Sequence, residues 1–223
     1  MINVKGAEMR RPITVFVYFL PVSAIFLHAC TYQGPVKEII TEKRTIRANT
    51  YMQGGNYEDA ITDYTKALKV NPRDAIAYNN RGLAWGKKGD YDNAIADFTK
   101  AVEINPQYAD AFYNRGFAWG KKGDYDNAIA DFTKAVEINP QYADAYKNRG
   151  IAYYDKGDYG SAIGNYTKAV EINPKDAFSY NNRGVAYYDK GDYDRTCSDF
   201  KKSCELGYCK GLNWAIKEGV CNQ

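Results

Sequence analysis

The chain has 223 residues and carries 30 lysines and arginines against 27 aspartates and glutamates, a formal net charge of +3. This near balance argues against a nucleic-acid-binding surface, which needs clustered basic residues. The single histidine, His28, lies in an apolar N-terminal segment, which weighs against histidine-dependent chemistry. The sequence has no glycine-rich phosphate loop, nucleophile elbow or metal-ligand cluster, so we predict a protein without enzymatic activity, cofactor or metal.

Residues 1–29 have the pattern of a bacterial secretory signal. Three basic residues precede an apolar stretch at 13–29, and a positive start followed by an apolar segment is typical of such signals. The stretch ends in Leu-His-Ala-Cys, which resembles the lipobox of bacterial lipoproteins and implies that Cys30 is lipidated and becomes the new N-terminus. Two alternatives stay open: a plain cleaved signal, and an uncleaved membrane anchor, which Pro21 and the shortness of the stretch disfavour.

The residues after the expected lipidation site indicate a location. In the sorting pattern of Gram-negative lipoproteins an Asp after the Cys favours the inner membrane, so Thr31 favours the outer membrane facing the periplasm. We expect residues 30–40 to hold the lipid and a short tether. Nine extended residues span at most about 30 Å, so the rest of the chain is expected to stay near the membrane.

From residue 41 onward the sequence repeats with a period of 34 residues. Residues 84–111 are identical to residues 118–145, and a match of that length in one register indicates duplication. Repeated units pack mainly against their neighbours, so the array is expected to form one solenoid domain. The predicted units, of which the first is degenerate, are 41–74, 75–108, 109–142, 143–176 and 177–210.

Each unit is predicted to contain two helices joined by a tight turn. In unit 109–142, Phe112, Gly116 and Trp119 recur at three- and four-residue steps, which places them on one helix face. A Lys-Gly-Asp sequence then ends this helix, and the carboxylate of Asp124 is placed to cap the helix that follows. A second stripe of small and aromatic residues predicts the second helix.

The order of residue types within a unit resembles the tetratricopeptide repeat (TPR) family. Its pattern is an aromatic, a Gly or Ala and a Tyr in the first helix, then Ala, an aromatic, Ala and Pro. The resemblance implies an all-α solenoid of about five helix-turn-helix units in a right-handed superhelix, with the first helices lining a concave groove. The matching residues of three consecutive units are Tyr78, Gly82, Trp85, Ala94, Phe98, Ala101 and Pro106; Phe112, Gly116, Trp119, Ala128, Phe132, Ala135 and Pro140; and Tyr146, Gly150, Tyr153, Ala162, Tyr166, Ala169 and Pro174.

One recurring position departs from the family pattern, because an arginine replaces the usual leucine before the Gly. Arginine binds carboxylates with two parallel hydrogen bonds, so these side chains could clamp a ligand or pair with aspartates of the second helices. We favour structural pairing, since the slot normally points inward, and Asn165 interrupts the row of aspartates. The residues are Arg81, Arg115, Arg149 and Arg183, with Asp63, Asp97, Asp131 and Asp199.

The C-terminal end is the least regular part of the array. Thr196, Ser203 and Gly207 occupy slots that other units fill with family residues, so we expect unit 177–210 to pack less tightly. Residues 211–223 are predicted to form a helix that caps the last unit, since a solenoid must cover its final apolar face.

Four of the five cysteines lie within this C-terminal end. An even number of cysteines in an exported chain favours disulfides. A capping helix antiparallel to the last repeat helix brings Cys204 near Cys209 and Cys197 near Cys221, the pairing that we favour. Other pairings stay open, as does a zinc site, which the spacing disfavours.

An asparagine stands two places before the Gly of each complete unit. The row resembles the asparagine ladder of some peptide-binding TPR superhelices, where an amide can pair with an extended peptide backbone because it offers both a donor and an acceptor. The alternative is that each Asn was copied with its unit and bonds to the neighbouring repeat. The ladder consists of Asn80, Asn114, Asn148 and Asn182.

Other groove positions differ between units and are expected to set specificity. Lys87 and Lys121 follow glycines in two units, whereas Tyr154 and Tyr188 precede aspartates in the next two. The groove is therefore predicted to run from basic and open to aromatic and acidic. Further contacts are expected from Tyr113, Phe117, Lys147 and Ile151.

These features predict a lipid-anchored, non-enzymatic scaffold that binds an extended segment of another protein at the bacterial cell envelope. The chain looks like the TPR lipoproteins that support outer-membrane, pilus or peptidoglycan assembly. The alternative is a structural envelope protein that associates with copies of itself through its open ends or its grooves.

Overall fold

The computed structural model describes residues 34–222, and it describes side chains from residue 39 onward. The expected signal 1–29, Cys30 and Thr31 lie outside the described residues. Contacts divide the chain into a unit Met1–Ile39 and a larger unit Ile40–Gln223, which holds the repeats. Within the described residues, no helix combines the length and apolar character that crossing a bilayer requires.

The described residues form helices and no strands, as predicted for an all-α solenoid. From α2 to α11 each helix packs against its neighbours along the chain. The first helices of the complete units begin at the alanines where the repeat was expected to start. The helices are α1 (Gly34–Gln53), α2 (Tyr57–Val70), α3 (Ala75–Lys87), α4 (Tyr91–Ile104), α5 (Ala109–Lys121), α6 (Tyr125–Ile138), α7 (Ala143–Asp155), α8 (Tyr159–Ile172), α9 (Ala177–Asp189), α10 (Tyr193–Glu205) and α11 (Lys210–Lys217).

The turn inside each unit follows from a glycine and an aspartate. The side chain of Asp124 accepts a hydrogen bond from the backbone N–H of Asn127 at 3.1 Å, which satisfies a donor that a helix start leaves unpaired. Gly123 has a φ of 80°, in the left-handed region that glycine adopts without strain. The predicted cap is therefore confirmed, and it recurs at Asp90, Asp158 and Asp192.

The core lies between the two helices of each unit and between consecutive units. Ala128 and Phe132 of α6 are buried together with Ala152 of α7, which links unit 109–142 to the next one. In the complete units a glycine faces the core aromatic: a Cβ built on Gly150 would lie 2.8 Å from the ring of Tyr166. Two helices therefore approach closely where the family pattern places its glycine.

The predicted tether is helical from residue 34 onward. Helix α1 begins at Gly34 and ends at Gln53, within the first repeat unit. Pro35 permits this because a helix leaves the first backbone N–H groups unpaired, so a residue without an N–H is tolerated in the first turn.

The last unit is not loosely packed, contrary to the expectation. Thr196 and Ser203 are fully buried, and both hydroxyls are satisfied. Thr196 Oγ1 donates to the carbonyl of Asp192 at 2.8 Å, and Ser203 Oγ lies 2.8 Å from the carbonyl of Ala177 and 2.9 Å from that of Tyr208. Small hydroxyl side chains can be buried in these slots because each finds a backbone partner.

Helix α11 covers the end of the array. Ala215 of α11 and Phe200 of α10 are buried in one cluster, and the ring of Trp214 meets that of Phe200 edge-on at 6.4 Å between centroids. The structure joins Cys197 to Cys221 and Cys204 to Cys209, with Cα atoms 5.6 and 4.0 Å apart. These are the two pairs favoured above.

Candidate groove for a polypeptide

A row of apolar side chains runs along the first helices of the complete units. These residues recur every 34 positions, and Phe117 is the most exposed of them, at 42% of its surface. They stand one residue after the core glycine and flank the gaps between successive units. This apolar row consists of Leu83, Phe117, Ile151 and Val185.

Three pockets lie along this row, one at each boundary between complete units. Their volumes are about 220 Å³ between Leu83 and Phe117, about 170 Å³ between Phe117 and Ile151, and about 250 Å³ between Ile151 and Val185. Each pocket is therefore bounded by two neighbouring members of the apolar row. Pockets of this size fit single side chains better than a whole small molecule, whose sites measure about 300–1,000 Å³.

Three members of the asparagine ladder, Asn114, Asn148 and Asn182, line these pockets, but the first two are partly committed to internal bonds. Asn114 Nδ2 donates to Oδ1 of Asn79 at 2.9 Å, and Asn148 Nδ2 donates to Oη of Tyr113 at 2.9 Å and to the carbonyl of Asp144 at 3.0 Å. Both asparagines thus bond to the preceding unit, as the duplication alternative expects. Their side-chain oxygens accept no hydrogen bond from the described residues, so the ladder can offer acceptors.

The other ladder positions behave differently. Asn80 Oδ1 accepts a hydrogen bond from Asn79 at 3.2 Å, and Asn80 lines none of the three pockets. Asn182 lines the pocket beside Val185 and makes no hydrogen bond with the described residues. The four asparagines therefore do not form one uniform row of free amides.

Two expected groove residues are held by neighbours. Lys147 Nζ lies 2.6 Å from a carboxylate oxygen of Asp144 and 3.3 Å from one of Asp176, so its charge is balanced within the chain. Tyr113 is half-buried against Tyr142, with ring centroids 5.0 Å apart, and burial raises the pKa of its phenol. Tyr113 lines the first pocket, but its hydroxyl is used by the Asn148 amide.

The groove side chains of the first two complete units differ from those of the last two. Lys87 and Lys121 are exposed, and neither has a carboxylate partner among the described residues. Lys121 Nζ instead lies 5.1 Å from the ring centre of Phe117. At the other end the hydroxyl of Tyr154 donates a hydrogen bond to the carboxylate of Asp189 at 2.5 Å. Tyr188 packs edge-on against Trp214, with ring centroids 5.0 Å apart.

The arginine row is structural, as favoured from the sequence. Arg115 donates to both carboxylate oxygens of the buried Asp131 at 2.7 and 2.8 Å and to the hydroxyl of Thr99 in the preceding unit at 3.1 Å. Its guanidinium also lies 5.5 Å from the ring centre of Phe112. The same set of contacts recurs around Arg81 and Arg183, and Arg149 pairs with Asn165. These arginines are therefore not available to clamp a ligand.

Sequence reasoning missed Leu83 and Val185, which complete the apolar row, whereas Gly86 and Gly120, expected to leave the groove open, each line a pocket. The signal was present, because Phe117 and Ile151 were expected to contact a ligand. Aligning the units at a spacing of 34 residues brings Leu83 and Val185 into the same position.

Five family models match the chain, all of them models of the tetratricopeptide repeat. Together they span residues 47 to 206 without a gap. The matched ranges are 47–109, 109–142, 132–164, 150–191 and 179–206.

The similar proteins share repeats or fold rather than a whole chain of known activity. Serine/threonine-protein phosphatase 5 of Rattus norvegicus is 40% identical over 53 residues, 24% of this chain and 10% of that protein. The chain thus spans about a tenth of the curated relatives that it matches. A crystal structure of MamA superposes with a TM-score of 0.68 at 29% identity, covering 76% of this chain and 96% of MamA. The TPR protein YrrB gives 0.67 at 24% identity, covering 78% and 90%.

Proposed function

The chain belongs to the tetratricopeptide repeat family, and from that premise we propose that it is a non-enzymatic scaffold that binds an extended segment of another protein. The observation that carries the proposal is the apolar row with one pocket at each unit boundary. Equally spaced pockets suit a ligand that is itself periodic, as an extended polypeptide is. YrrB is described as a TPR protein with an unusual peptide-binding site, and that likeness is one of fold.

A photo-crosslinking amino acid at position 117 tests this site directly. We expect ultraviolet light to join position 117 to a peptide of a partner protein, identified by mass spectrometry, because Phe117 is exposed between two pockets. The matched control places the same amino acid at the exposed position 130 on the second helix of the same unit. Once the partner peptide is synthesised, replacing Asn114 and Asn148 by Ala should weaken its binding by about 1–3 kcal/mol, since buried peptide amides lose acceptors.

Adducts at position 130 alone would refute the groove as the binding site. Adducts only between two copies of the chain would favour the alternative, a self-associating structural protein. One observation favours that alternative: Ile46 of α1 is 57% exposed, whereas α11 covers the opposite end.

The second part of the proposal is a lipid anchor at Cys30 that holds the scaffold at the bacterial cell envelope, on the outer membrane facing the periplasm. Its support is the sequence pattern of residues 1–30 and Thr31. Several buried acyl chains hold a protein firmly, because each buried methylene contributes about 0.8 kcal/mol.

Replacing Cys30 by Ser should move the protein from the membrane pellet to the soluble fraction of a bacterial lysate or block its processing. The wild-type chain should instead carry a lipid on its N-terminal cysteine, which mass spectrometry of the N-terminal peptide detects. A wild-type protein without lipid, or a Cys30→Ser variant that is processed normally and still sediments unchanged, would contradict the anchor while leaving the groove proposal intact.

A further inference from the structure

Two of the complete units have a tyrosine at a position near the end of the first helix. The other two complete units leave that position open. In unit 143–176 the ring of Tyr154 packs against Tyr159, with centroids 5.3 Å apart, and Tyr188 packs against Tyr193 in the same way at 5.6 Å. The hydroxyl of Tyr154 reaches Asp189 in the next unit at 2.5 Å. This tyrosine therefore has a ring to pack on and a carboxylate that accepts the hydrogen bond from its hydroxyl.

Glycine occupies the same position in the two preceding units. A Cβ built on Gly86 or Gly120 would meet no atom closer than 4.0 Å, so close packing does not require a glycine at either site. In these two units no tyrosine from the first helix packs on the equivalent ring, and the rings of Tyr91 and Tyr125 instead line the pockets beside Gly86 and Gly120. By contrast, Tyr159 is absent from the lining of the pocket beside Tyr154.

The pocket at Gly120 has every partner that a tyrosine would use. Tyr125 supplies the ring, and Asp155, which stands in the register of Asp189, lines the same pocket. Offset or tilted aromatic pairs are favourable beyond the area that they bury, and a phenol satisfies its polar end by donating to a carboxylate. The chain itself thus shows, at Tyr154, how a side chain would sit in this pocket.

We propose that the Gly86 and Gly120 pockets bind two tyrosine side chains of an extended partner segment, each packed on Tyr91 or Tyr125 as Tyr154 packs on Tyr159. This inference rests on the proposed function and names the chemistry of its ligand. The two pockets are not equal: Asp155 lines the Gly120 pocket and favours a donor there, whereas the Gly86 pocket is lined by Lys87 and by no described carboxylate, which favours the phenol oxygen as an acceptor.

The spacing of the units sets the spacing of the two tyrosines. Packed helices lie about 8–10 Å apart, and Asn114 of one first helix bonds directly to Asn79 of the previous one. A polyproline II segment advances about 3.1 Å per residue with three residues per turn, so side chains three residues apart lie on one face about 9 Å apart. Lys87 and Lys121, which lack carboxylate partners among the described residues, suit glutamates placed between the tyrosines.

The test uses a fluorescent synthetic peptide of about ten residues, with two tyrosines three positions apart and glutamate and proline between them. Binding to the full repeat array of residues 34–223 and to the complete chain is measured by anisotropy. We expect Gly120→Tyr to weaken binding by about tenfold or more, a loss of one anchor worth about 1.4 kcal/mol, because the new tyrosine fills the pocket. Gly120→Ala is the matched control and should retain binding, since a Cβ has room there.

Two further variants make the test independent of folding defects. Gly120→Tyr should melt at the same or a higher temperature than the wild type, because its ring repeats a contact that the next unit already makes. Tyr154→Gly should open a third pocket, so a peptide with three tyrosines at the same spacing should gain at least about tenfold over the two-tyrosine peptide.

Equal binding to wild type and Gly120→Tyr, or no preference for tyrosine over alanine in the peptide, would overturn the inference. If the crosslink at position 117 still captures a partner peptide without such tyrosines, the tyrosine pockets fail and the scaffold function stands. If wild type forms dimers that Gly120→Tyr abolishes, the tyrosines come from a second copy, and the inference of a separate partner is wrong.

Discussion

Arg115→Ala is expected to lower the free energy of unfolding by about 3–5 kcal/mol, the range for leaving one buried charge without its partner. Asp131 is 5% exposed and receives two hydrogen bonds from Arg115. The same guanidinium donates to Thr99 of the preceding unit. One substitution therefore removes contacts within a unit and between two units.

Arg149→Ala is the matched control that the chain provides. Arg149 makes the same bond to the preceding unit, at 3.0 Å to Thr133, but its second-helix partner is the neutral Asn165 at 2.7 Å. No unpaired charge is left when this arginine is removed, so the expected loss is about 1–3 kcal/mol, the cost of an unsatisfied neutral group. The comparison separates the buried charge from the hydrogen bonds that both positions share.

The effect of Arg115→Ala should also depend on pH. Burial raises the pKa of Asp131, and Arg115 partly offsets this, so the variant should raise it further. A carboxyl whose folded pKa is raised stabilises the folded state below its unfolded pKa, and this contribution is lost as pH rises through the folded value. The variant should therefore recover part of its deficit between pH 7 and about 4, near the ordinary aspartate value.

Urea unfolding followed by circular dichroism measures both variants. A repeat array can unfold in parts, so the variants should be compared at matched slopes before free energies are extracted. Equal losses for Arg115→Ala and Arg149→Ala at pH 7 would contradict the argument, because the charge of Asp131 would then make no difference.

The fold could be predicted from the sequence because the residues that form each contact recur at the same spacing in several units. The aromatic and alanine stripes, the Asp124 cap and the pairing of Arg115 with Asp131 all follow from residue types at fixed spacing. The hydrogen bond from Arg115 to Thr99 did not follow, since it joins two units and depends on how they stack. The helical start of α1 was missed because Gly34 and Pro35 were taken as tether residues.

The candidate site was less accessible to sequence reasoning for a related reason. The asparagine positions were visible, but whether their amides are free depends on the residue one position earlier in the preceding unit. That residue is Asn79 for Asn114 and Tyr113 for Asn148, and both use the amide. The pockets exist because Gly86 and Gly120 have no side chains. The sequence alone does not show that the rings of Tyr91 and Tyr125 lie beside these glycines.

Replacing both Cys197 and Cys221 by Ser is expected to destabilise the C-terminal cap by about 3.5 kcal/mol. The bond closes a loop with a sequence separation of 24, and the chain-entropy model gives a value of this size for such a loop. Replacing Cys204 and Cys209, whose separation is 5, should cost only about 2 kcal/mol by the same relation.

The two disulfides differ in the segments that they connect as well as in loop length. The Cys204–Cys209 bond spans the turn between α10 and α11, whereas Cys221 ties the chain beyond the far end of α11 to α10. Helix α11 has eight residues, too few to be stable alone. It therefore depends on packing against Phe200 and on this distal bond.

The loss should be local, because α11 packs only on α10 and α9 among the described helices. We expect amide exchange of α11 and the fluorescence of Trp214, which is 40% exposed, to change in Cys197→Ser/Cys221→Ser while α3 to α8 stay protected. The Cys204→Ser/Cys209→Ser variant is the control. If both variants lose the same protection, loop length and the distal attachment do not determine the stability of the cap. If neither variant loses protection, apolar packing of Ala215 and Phe200 alone holds the cap, because the solenoid must cover its last unit in either case.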